Sequence, residues 1–350
     1  MPGDDIGPEI VAAAVEVLKA ADQVHGLDLR LTEIETGMAS YRKNGTTLTD
    51  SAIQAALDAD GVIVGPAGIT DYPPRDKGGV NVPAAIRKRL DLYANLRPAR
   101  YRASVPDARR GLDVLIAREN TEGFYSDRNM FLGVAEFMPT EDVALAVRKI
   151  TRQGSRRIAK VAFEYAKRRR KSVTAVGKQH ALQVTDGLFM AEAYAMAKAY
   201  PEVAFREVDI DAMAADLYSR PERHDVILIT NMFGDILSNE AAALAGSLGL
   251  SAALNAGDTR AVANAGHGSA PDIAGRGIAN PTGMILSTAL LIEWLGVRHN
   301  KPAYIAACKT MHDAVDEALA DVEARTGYVG GRGTTRSFTA KVVAAVRKAT

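Results

Sequence analysis

Three arginines stand beside segments that are predicted to be buried strands. Arg87 and Arg97 flank the segment 92–96, and Arg118 directly follows the apolar run 114–117. Ligands of open α/β sheets bind beyond the carboxyl ends of the strands, where a guanidinium offers two parallel donors to a carboxylate. Taken singly, Arg87 and Arg97 are better explained as surface ion-pair residues, whereas Arg118 at the end of a buried strand requires an anionic partner. Three convergent guanidiniums would suit a small acid with two or more carboxylates.

Oxygen-bearing side chains after a later strand predict a metal site. Asp235 and Asn239 follow the predicted strand 226–229 and are four residues apart, so on a helix they share one face. Asp211 opens a predicted helix over 212–218 and is the natural third ligand, although an N-cap role explains this aspartate equally well. Carboxylate and amide oxygens of this kind suit Mg²⁺ or Mn²⁺.

Two further side chains are candidates for moving protons. Lys178 follows the predicted strand 173–176, where burial would lower its pKa and let it take a proton from a hydroxyl. From the residues alone, a solvated loop lysine is the better explanation. Tyr125 can donate a proton, although a tyrosine shortly after a glycine is more often a packing residue.

A loop of small residues, HGSAPDIAG at 267–275, is a candidate cofactor site. Small residues let the backbone approach a ligand closely. Asp272 in this loop can accept both ribose hydroxyls of an adenosine and would repel a 2′-phosphate. No Gly-x-Gly-x-x-Gly motif follows a predicted strand, so the sequence does not support a Rossmann site, and 330–333 is predicted to be a turn.

Short apolar runs alternate with longer helical patterns, and this order would position the candidate residues. Pro8 lies in the first turn of a helix that runs towards His25, and Ser155 is the predicted N-cap of another. The alternation predicts an α/β protein whose strands are buried on both faces. The predicted buried strands cover 61–65, 114–117, 173–176, 203–208 and 226–229.

Composition narrows the function classes. The 350 residues carry a net charge of +1, which argues against nucleic acid or an anionic membrane as a partner. The basic run 168–171 is interpreted as cations that complement a helix dipole. The apolar stretch 284–295 is predicted to be a core helix, because a bilayer span needs about 20 residues. The single cysteine, Cys308, is expected to be a buried structural thiol in a reducing, cytoplasmic compartment.

The first nine residues look like a loop that follows a strand, yet no strand precedes them. Either the strand is absent or the start of the chain was assigned late, and we favour the late start. A missing strand would cost several kcal/mol of burial for three or four apolar side chains.

Four motifs, in the same order, resemble the isocitrate and isopropylmalate dehydrogenase family of β-decarboxylating dehydrogenases. The resemblance covers essentially the whole chain and implies an α/β fold of two domains around a mixed sheet. The implied cofactor domain is discontinuous, 1–92 and 247–350, and the implied substrate, metal and dimerisation domain is 93–246. The motifs that carry the resemblance are Pro2–Glu9, Leu90–Pro98, Asn231–Ser238 and His267–Gly275.

The resemblance also implies roles for the candidate residues. The three arginines would hold substrate carboxylates, Lys178 would take the hydroxyl proton, and Tyr125 would reprotonate the carbon that loses carbon dioxide. Lys178 and Asp211 would enter the site from the second subunit of a homodimer. The implied metal ligands are Asp211, Asp235 and Asn239. The implied cofactor-binding residues are His267, Gly268, Ser269, Ala270, Asp272, Ile273 and Asn280.

The expected activity is therefore oxidative decarboxylation, dependent on NAD and a divalent metal, of a 2-hydroxy acid that carries a 3-carboxylate. Asp272 with Ile273 resembles the NAD-preferring pair of the family. The segment 118–123 resembles the isocitrate, homoisocitrate and tartrate/malate members, and a polar Asn120 disfavours a branched apolar substituent. We therefore expect a homoisocitrate- or tartrate/malate-like substrate first, isocitrate next and isopropylmalate after that.

Three departures from the family pattern leave an alternative open. Asn239 stands where the family usually has a further aspartate, His180 replaces an asparagine near the nicotinamide, and Asn264 replaces a glutamate. The alternative is a non-catalytic regulatory subunit of a hetero-oligomeric dehydrogenase of the same family. Retention of Tyr125 and Lys178 speaks against it.

Overall fold

A computed structural model describes residues 1–125, 130 and 135–349. Its longer helices are α1 (Gly7–His25), α2 (Gly37–Asn44), α3 (Asp50–Asp58), α4 (Val82–Arg89), α5 (Arg152–Lys167), α6 (Thr185–Ala199), α7 (Ile210–Ser219), α8 (Asn231–Leu244), α9 (Thr282–Arg298), α10 (Pro302–Ala320) and α11 (Thr335–Arg347). Its strands are β1 (Gly61–Val64), β2 (Ala94–Arg100), β3 (Asp113–Glu119), β4 (Glu136–Thr140), β5 (Val143–Ala146), β6 (Ser172–Gly177), β7 (Ala204–Asp209), β8 (Val226–Ile229), β9 (Leu254–Ala256) and β10 (Ala261–Asn264).

One large mixed sheet runs through the described residues in the order β1-β10-β9-β2-β3-β8-β6-β7. β9 is antiparallel to both of its neighbours, and β2 is antiparallel to β3. All four residues of β8 are buried, because helices cover both faces of the sheet. The predicted α/β fold around a mixed sheet is confirmed.

The order of the strands creates a single edge for chemistry. β3, β8, β6 and β7 are mutually parallel, so their carboxyl ends lie side by side. We call this row of strand ends the carboxyl edge. Arg118 lies near the end of β3, Lys178 directly follows β6, and α8 with Asp235 begins two residues after β8. Since β2 is antiparallel to β3, its register places Asn95 opposite Arg118 at the same edge.

The opening residues lie against β1. The amino terminus of Met1 donates to the carbonyl of Ile63 at 3.0 Å, and Gly65 N–H donates back to Met1 at 2.9 Å. α1 then runs to His25 as predicted and ends at Gly26, whose φ of +62° suits glycine.

The predicted cap of α5 is wrong. Thr151 is the N-cap, and its side chain accepts from Gly154 N–H at 3.0 Å. Ser155 lies inside the helix, where its hydroxyl donates to the carbonyl of Thr151 at 2.8 Å. Both residues belong to the residue types that cap helices, so the sequence pattern alone leaves a choice between them.

β4 and β5 form a separate antiparallel hairpin that the sequence reasoning missed. Every residue of both strands is exposed. Met138 is 64 % exposed and Leu145 47 %, so the hairpin presents apolar side chains to solvent in the single chain. A two-stranded hairpin is marginally stable alone, and an exposed apolar patch marks an interaction surface.

The C-terminal helices form part of the core. α9 contains the predicted core helix 284–295, and α10 holds the buried thiol of Cys308, as expected. No helix in the described part of the chain is long and apolar enough to cross a membrane. In the basic run, Arg169 and Arg170 both pair with Asp113. These pairs connect the residues that follow α5 to the start of β3, a role that the interpretation as helix-dipole cations did not include.

Buried histidines predict a pH dependence of stability. His224 is fully buried, and burial together with Arg206 lowers its pKa from 6.5 to about 4. Burial and nearby arginines also lower the pKa of His312 to about 4. The unfolded chain therefore holds more protons than the native one between these values, so the free energy of unfolding falls as the pH drops below 6.5.

Urea unfolding between pH 6.5 and 5 measures this effect. Each histidine contributes a slope of up to about 1.4 kcal/mol per pH unit. His224→Gln should remove about half of the slope that the two histidines share. The exposed His299→Gln should leave the slope unchanged. An equal slope in wild type and His224→Gln would contradict this account.

Candidate functional site

Two arginines at the carboxyl edge share one carboxylate. The side chain of Arg118 is 3 % exposed and donates to Asp235 Oδ1 at 2.5 Å. The side chain of Arg97 is 9 % exposed and lies 3.4 Å from the same oxygen. The sequence prediction that Arg118 has an anionic partner is therefore confirmed, and the partner is Asp235.

Short polar contacts fix the direction of both guanidiniums. Asn231 at the start of α8 accepts from Arg118 Nε at 3.1 Å and from Nη2 at 2.7 Å. Asn95 accepts from Arg97 Nε at 2.7 Å, and Ser238 accepts from Arg97 Nη1 at 2.8 Å. These contacts leave Nη2 of Arg97 and Nη1 of Arg118 directed at the carboxylate of Asp235.

Gly234 allows α8 to lie this close to β3. A Cβ built at this position would lie 2.8 Å from Arg118 Cγ and 2.8 Å from Ile229 Cγ2. Any larger residue would push away the helix turn that carries Asp235, so close packing sets the arginine–carboxylate distance.

The electrostatics of this pair favour an anion. Burial, and the neighbouring charge of Arg118, lower the pKa of Arg97 to about 10. Two buried cations share the single carboxylate of Asp235, which is itself 32 % exposed. Buried charges are costly unless they are paired, so Asp235 stabilises both guanidiniums at the carboxyl edge.

Two further residues from the sequence analysis are Arg87 and Asn120. Arg87 lies half-buried in the last turn of α4, on a separate element from Arg97 and Arg118. Asn120 is 4 % exposed and donates to the carbonyl of Leu92 and to Asn255. Its amide is thus turned into the sheet, so the argument from Asn120 against a branched apolar substituent loses its basis.

The loop after β3 is held by buried carboxylates. Glu119 accepts from the backbone and hydroxyl of Thr121 and from Glu122 N–H, at 2.6 to 2.8 Å. Glu122 accepts from Thr151 at the start of α5. Burial raises the pKa of Glu119. Tyr125 follows this loop and is half-buried.

Lys178 lies among carboxylates. Its ammonium pairs with Asp211 and lies 3.5 Å from Asp209, while its side chain is one quarter exposed. The hydrogen bond to Asp211 raises the pKa of Lys178. The single chain therefore has a paired and partly exposed lysine, which agrees with the preference of the residues alone for a lysine that is not desolvated, although the two nearby carboxylates were not foreseen.

Asp211 is not the N-cap of α7. That position belongs to Asp209, which makes no side-chain capping bond, and Asp211 lies in the first turn at 70 % exposure. His180, which replaces an asparagine of the family pattern, pairs through Nδ1 with Asp209 at 2.9 Å. Asp209, which the sequence reasoning overlooked, thus links Lys178 to His180.

The candidate metal ligands do not converge within one chain. Asp211 pairs with Lys178, Asp235 pairs with the two arginines, and Asn239 is exposed one turn further along α8. Among the described residues, no group of three His, Cys, Asp or Glu side chains is placed to hold an ion. Their oxygen atoms nevertheless suit Mg²⁺ or Mn²⁺, and Asp211 is exposed enough to reach a second chain.

The candidate cofactor loop lies beside the opening loop. Ser269 accepts from Ile6 N–H at 3.1 Å, and Ala270 adopts a left-handed φ of +45°. A side chain at Gly268 would meet nothing within 4 Å, so the backbone there faces open space. Asp272 is exposed in the short 3-10 turn Pro271–Ile273.

Unsatisfied polar atoms in this loop indicate room for a ligand. Burial lowers the pKa of His267, and its Nε2 has no hydrogen-bond partner among the described residues. Asn280 is 6 % exposed, and its Nδ2 likewise lacks a partner in that part of the chain. Buried polar atoms of this kind usually have a hydrogen-bond partner. By contrast, Asn264 donates to the carbonyl of Val64 at 2.8 Å and joins β10 to β1.

Sequence reasoning missed the residues that aim the guanidiniums. Asn95 lies two residues from Arg97 on β2, so alternation along a strand places both on one face. Asn231 begins the helix that carries Asp235 and was part of a recognised motif. Alternation along the strand could therefore have pointed to Asn95. The contact of Asn231 could not be predicted, since this residue lies more than a hundred residues from Arg118.

A buried arginine pair at the carboxyl edge and a loop of small residues with unsatisfied polar atoms are features of an enzyme class that acts on small anionic molecules. The comparisons with known proteins agree with this class. The chain belongs to the isocitrate/isopropylmalate dehydrogenase family, whose model matches residues 1–346. The family is one of dehydrogenases.

Three relatives show how far the similarity extends. The isocitrate/homoisocitrate dehydrogenase of Thermus thermophilus is 40 % identical over 346 residues, which are 99 % of this chain and 97 % of that enzyme. The 3-isopropylmalate dehydrogenase of Saccharolobus solfataricus is 36 % identical over 95 % of this chain and 94 % of its own. The crystal structure of isocitrate dehydrogenase from Methylococcus capsulatus superposes with a TM-score of 0.86 at 37 % identity, covering 99 % and 98 % of the two chains.

Proposed function

We propose that this chain oxidises the hydroxyl of a 2-hydroxy acid with NAD and a divalent metal, and that the product loses its 3-carboxylate as carbon dioxide. The observation that carries the proposal is the buried pair Arg97 and Arg118, which shares the carboxylate of Asp235 at the carboxyl edge. Such a pair can bind two carboxylates of a substrate in a fixed orientation.

The proton transfers are assigned to Lys178 and Tyr125. Lys178 would take the proton from the hydroxyl oxygen, and a bound NAD would accept the hydride from the carbon that bears this oxygen. The bond to the 3-carboxylate then breaks, its electron pair stays on carbon, and Tyr125 supplies a proton to that carbon. Lys178 can act as a base only after Asp211 has turned away from it, because this aspartate keeps the lysine protonated in the single chain.

The metal site is proposed to form between two chains. Asp235 and Asn239 of one chain, with Asp211 of the other, offer the oxygen ligands that Mg²⁺ or Mn²⁺ prefers. When bound there, a divalent ion would polarise the hydroxyl and the adjacent carboxylate of the substrate. These three side chains therefore fit a divalent metal ion when a second chain is present.

A homodimer supplies that second chain. The exposed apolar hairpin β4–β5 provides a surface that association would bury. Ile236, which neighbours Asp235 on α8, is 62 % exposed, and Val184 at the start of α6 is 84 % exposed. Apolar side chains this exposed beside the site favour an interface at the carboxyl edge.

The substrate remains a ranked proposal. Homoisocitrate-like and tartrate/malate-like acids come first, isocitrate next and 3-isopropylmalate after them. The Thermus relative is named for isocitrate and homoisocitrate, which supports the acids with more carboxylates, while the Saccharolobus relative is named for 3-isopropylmalate. All of these acids carry a 2-hydroxyl next to one carboxylate and a second carboxylate on carbon 3. The proposed reaction needs these groups.

A substrate screen tests the proposal. Purified protein with Mn²⁺ and NAD is mixed with malate, tartrate, isocitrate, homoisocitrate or 3-isopropylmalate, and the appearance of NADH is followed by absorbance. We expect turnover with at least one acid and loss of turnover when EDTA removes the metal. Absence of turnover with every acid, at concentrations far above typical KM values, would refute the proposal.

A regulatory subunit is the second candidate, because Asn239 provides a neutral amide at the metal site. In that case the chain alone would be inactive and would raise the activity of a homologous partner. Lys178, Tyr125 and the arginine pair are all retained, which favours the catalytic proposal.

NAD is the proposed cofactor, since the exposed carboxylate of Asp272 can accept hydrogen bonds from the adenosine ribose hydroxyls. Asp272→Lys should weaken NADH binding by about tenfold to a hundredfold, because a charged hydrogen bond is lost. Calorimetry measures the Kd. Asp313→Lys, at an exposed site on α10, makes the same change in net charge and should leave the Kd unaltered. Equal affinity in wild type and Asp272→Lys would overturn the cofactor assignment.

A further inference from the structure

Arg148 is a buried cation near the carboxyl edge that the reaction steps above do not use. Its side chain is 7 % exposed and lies 2.6 Å from the fully buried carboxylate of Asp186. The guanidinium also donates to the hydroxyl of Thr185 at 2.7 Å and to that of Thr230 at 3.3 Å. Buried ion pairs are often no more stabilising than well-packed apolar residues, so stability alone does not account for this one.

The first element that the Arg148–Asp186 pair positions is the backbone at Lys178, directly after β6. The second carboxylate oxygen of Asp186 accepts from the backbone N–H of Lys178 at 2.7 Å. A Cβ added to Gly177 would lie 3.3 Å from that oxygen, so the strand end packs tightly on the aspartate. Asp186 therefore sets the point from which the side chain of the proposed base leaves β6.

The second element is the loop that leads to Tyr125. Lys149 and Gly123 exchange backbone hydrogen bonds at 2.8 and 3.0 Å, which brings the chain around Arg148 beside this loop. The ring of Phe124 lies 5.8 Å from the guanidinium carbon of Arg148. Since Tyr125 is the next residue, its backbone is positioned by the same contacts.

The third element is the first turn of α8. The ring of Phe233 lies 5.4 Å from the guanidinium carbon of Arg148. Thr230, which accepts from Arg148, is the residue immediately before α8. Asp235 follows directly after this turn.

We propose that Arg148, together with Asp186, is a positioning residue that aligns Tyr125, Lys178 and Asp235 for the reaction. The inference rests on the proposed function. In the dimer described above, Tyr125 and Asp235 serve one active site while Lys178 serves the site of the partner. The Arg148–Asp186 pair thus lies between the two active sites and holds parts of both.

Three variants separate positioning from stability. Arg148→Met removes the charge and all donors, Arg148→Lys keeps only the charge, and Thr185→Val removes a single hydrogen bond. Two reactions are assayed: oxidation of the hydroxy acid, and decarboxylation of the corresponding 2-oxo acid supplied directly. We expect Arg148→Met to lower kcat of both about a hundredfold, since misplacement by about 1 Å has this effect. The KM of the hydroxy acid should change less than about threefold, because Arg97 and Arg118 are untouched.

The milder variants give graded results. Arg148→Lys should recover about tenfold of the loss, and Thr185→Val should lose only a few-fold in kcat. Arg102→Met is the matched control, because Arg102 is 7 % exposed on its side chain and pairs with Asp316 at 2.8 Å away from the site. It should lower the Tm without changing kcat.

Two outcomes overturn the inference in an active wild-type enzyme. The first is an equal kcat loss in the Arg148→Met and Arg102→Met variants at equal loss of Tm. The second is for the case in which Arg148→Met does not fold. An unchanged kcat in both Arg148→Lys and Thr185→Val then overturns the inference. If wild type turns over no acid, the proposed function fails, and hydrogen exchange then tests the inference separately. Faster exchange of the amides of 119–125 and 177–180 in Arg148→Lys, but not in Arg102→Lys, supports it, and equal exchange overturns it.

Discussion

Replacing Lys178 with methionine is expected to lower kcat about a thousandfold, because the hydroxyl proton then has no base to accept it. The KM of the hydroxy acid should stay within a few-fold, since Arg97 and Arg118 bind the carboxylates without the lysine. Steady-state NADH formation with the best acid from the substrate screen measures both constants. Lys167→Met, at a surface lysine on α5 that pairs with Glu202, is the matched control and should be silent.

The same variant also tests whether each site is shared by two chains. Lys178→Met is co-expressed with Tyr125→Phe, and the hybrid dimer is isolated with two different affinity tags. One of its two sites then has both wild-type residues, so we expect about half of the wild-type activity from two nearly inactive chains. If every site is built from a single chain, the hybrid stays as inactive as its parents.

Asp235→Asn is expected to remove at least about 99 % of the activity, because the metal site loses one of its two charged ligands and the arginine pair loses its internal carboxylate. The activity that remains should need a higher concentration of Mn²⁺. Titration of NADH formation with Mn²⁺ measures both effects.

The stability of this variant reports on the arginine pair. With Asp235 neutral, Arg97 and Arg118 lack their shared anion, so citrate should raise the Tm of the variant more than that of wild type. Asp316→Asn is the matched control, because Asp316 also bridges two arginines, Arg100 and Arg102. It should lose stability without losing activity. Full activity in Asp235→Asn would remove the aspartate from the reaction.

The sequence predicted most of the sheet that carries these residues. β3, β6 and β8 are short apolar runs, since strands covered on both faces need apolar residues throughout. β9 and β10 escaped this reasoning because Leu254–Ala256 and Ala261–Asn264 are very short and rich in alanine and asparagine. Their place in the sheet depends on neighbours far away in the chain.

The site was predictable by residue type but not by contact. Arg118 at a buried strand end needed an anion, and the sequence could say so. That Asp235 is this anion, that Asn231 aims the guanidinium of Arg118, and that Asp211 pairs with Lys178 all depend on long-range packing. The raised pKa of Lys178 follows from its pairing with Asp211, which no local pattern in the sequence predicts.

The most direct measurement is the anomalous scattering of manganese in crystals of the protein grown with Mn²⁺ and a non-reactive dicarboxylate. The account predicts one strong peak per chain, about 2.2 Å from oxygen atoms of Asp235 in one chain and of Asp211 in its partner, with the dicarboxylate against Arg97 and Arg118. A lattice that contains Mn²⁺ but shows no peak between these two aspartates would contradict it.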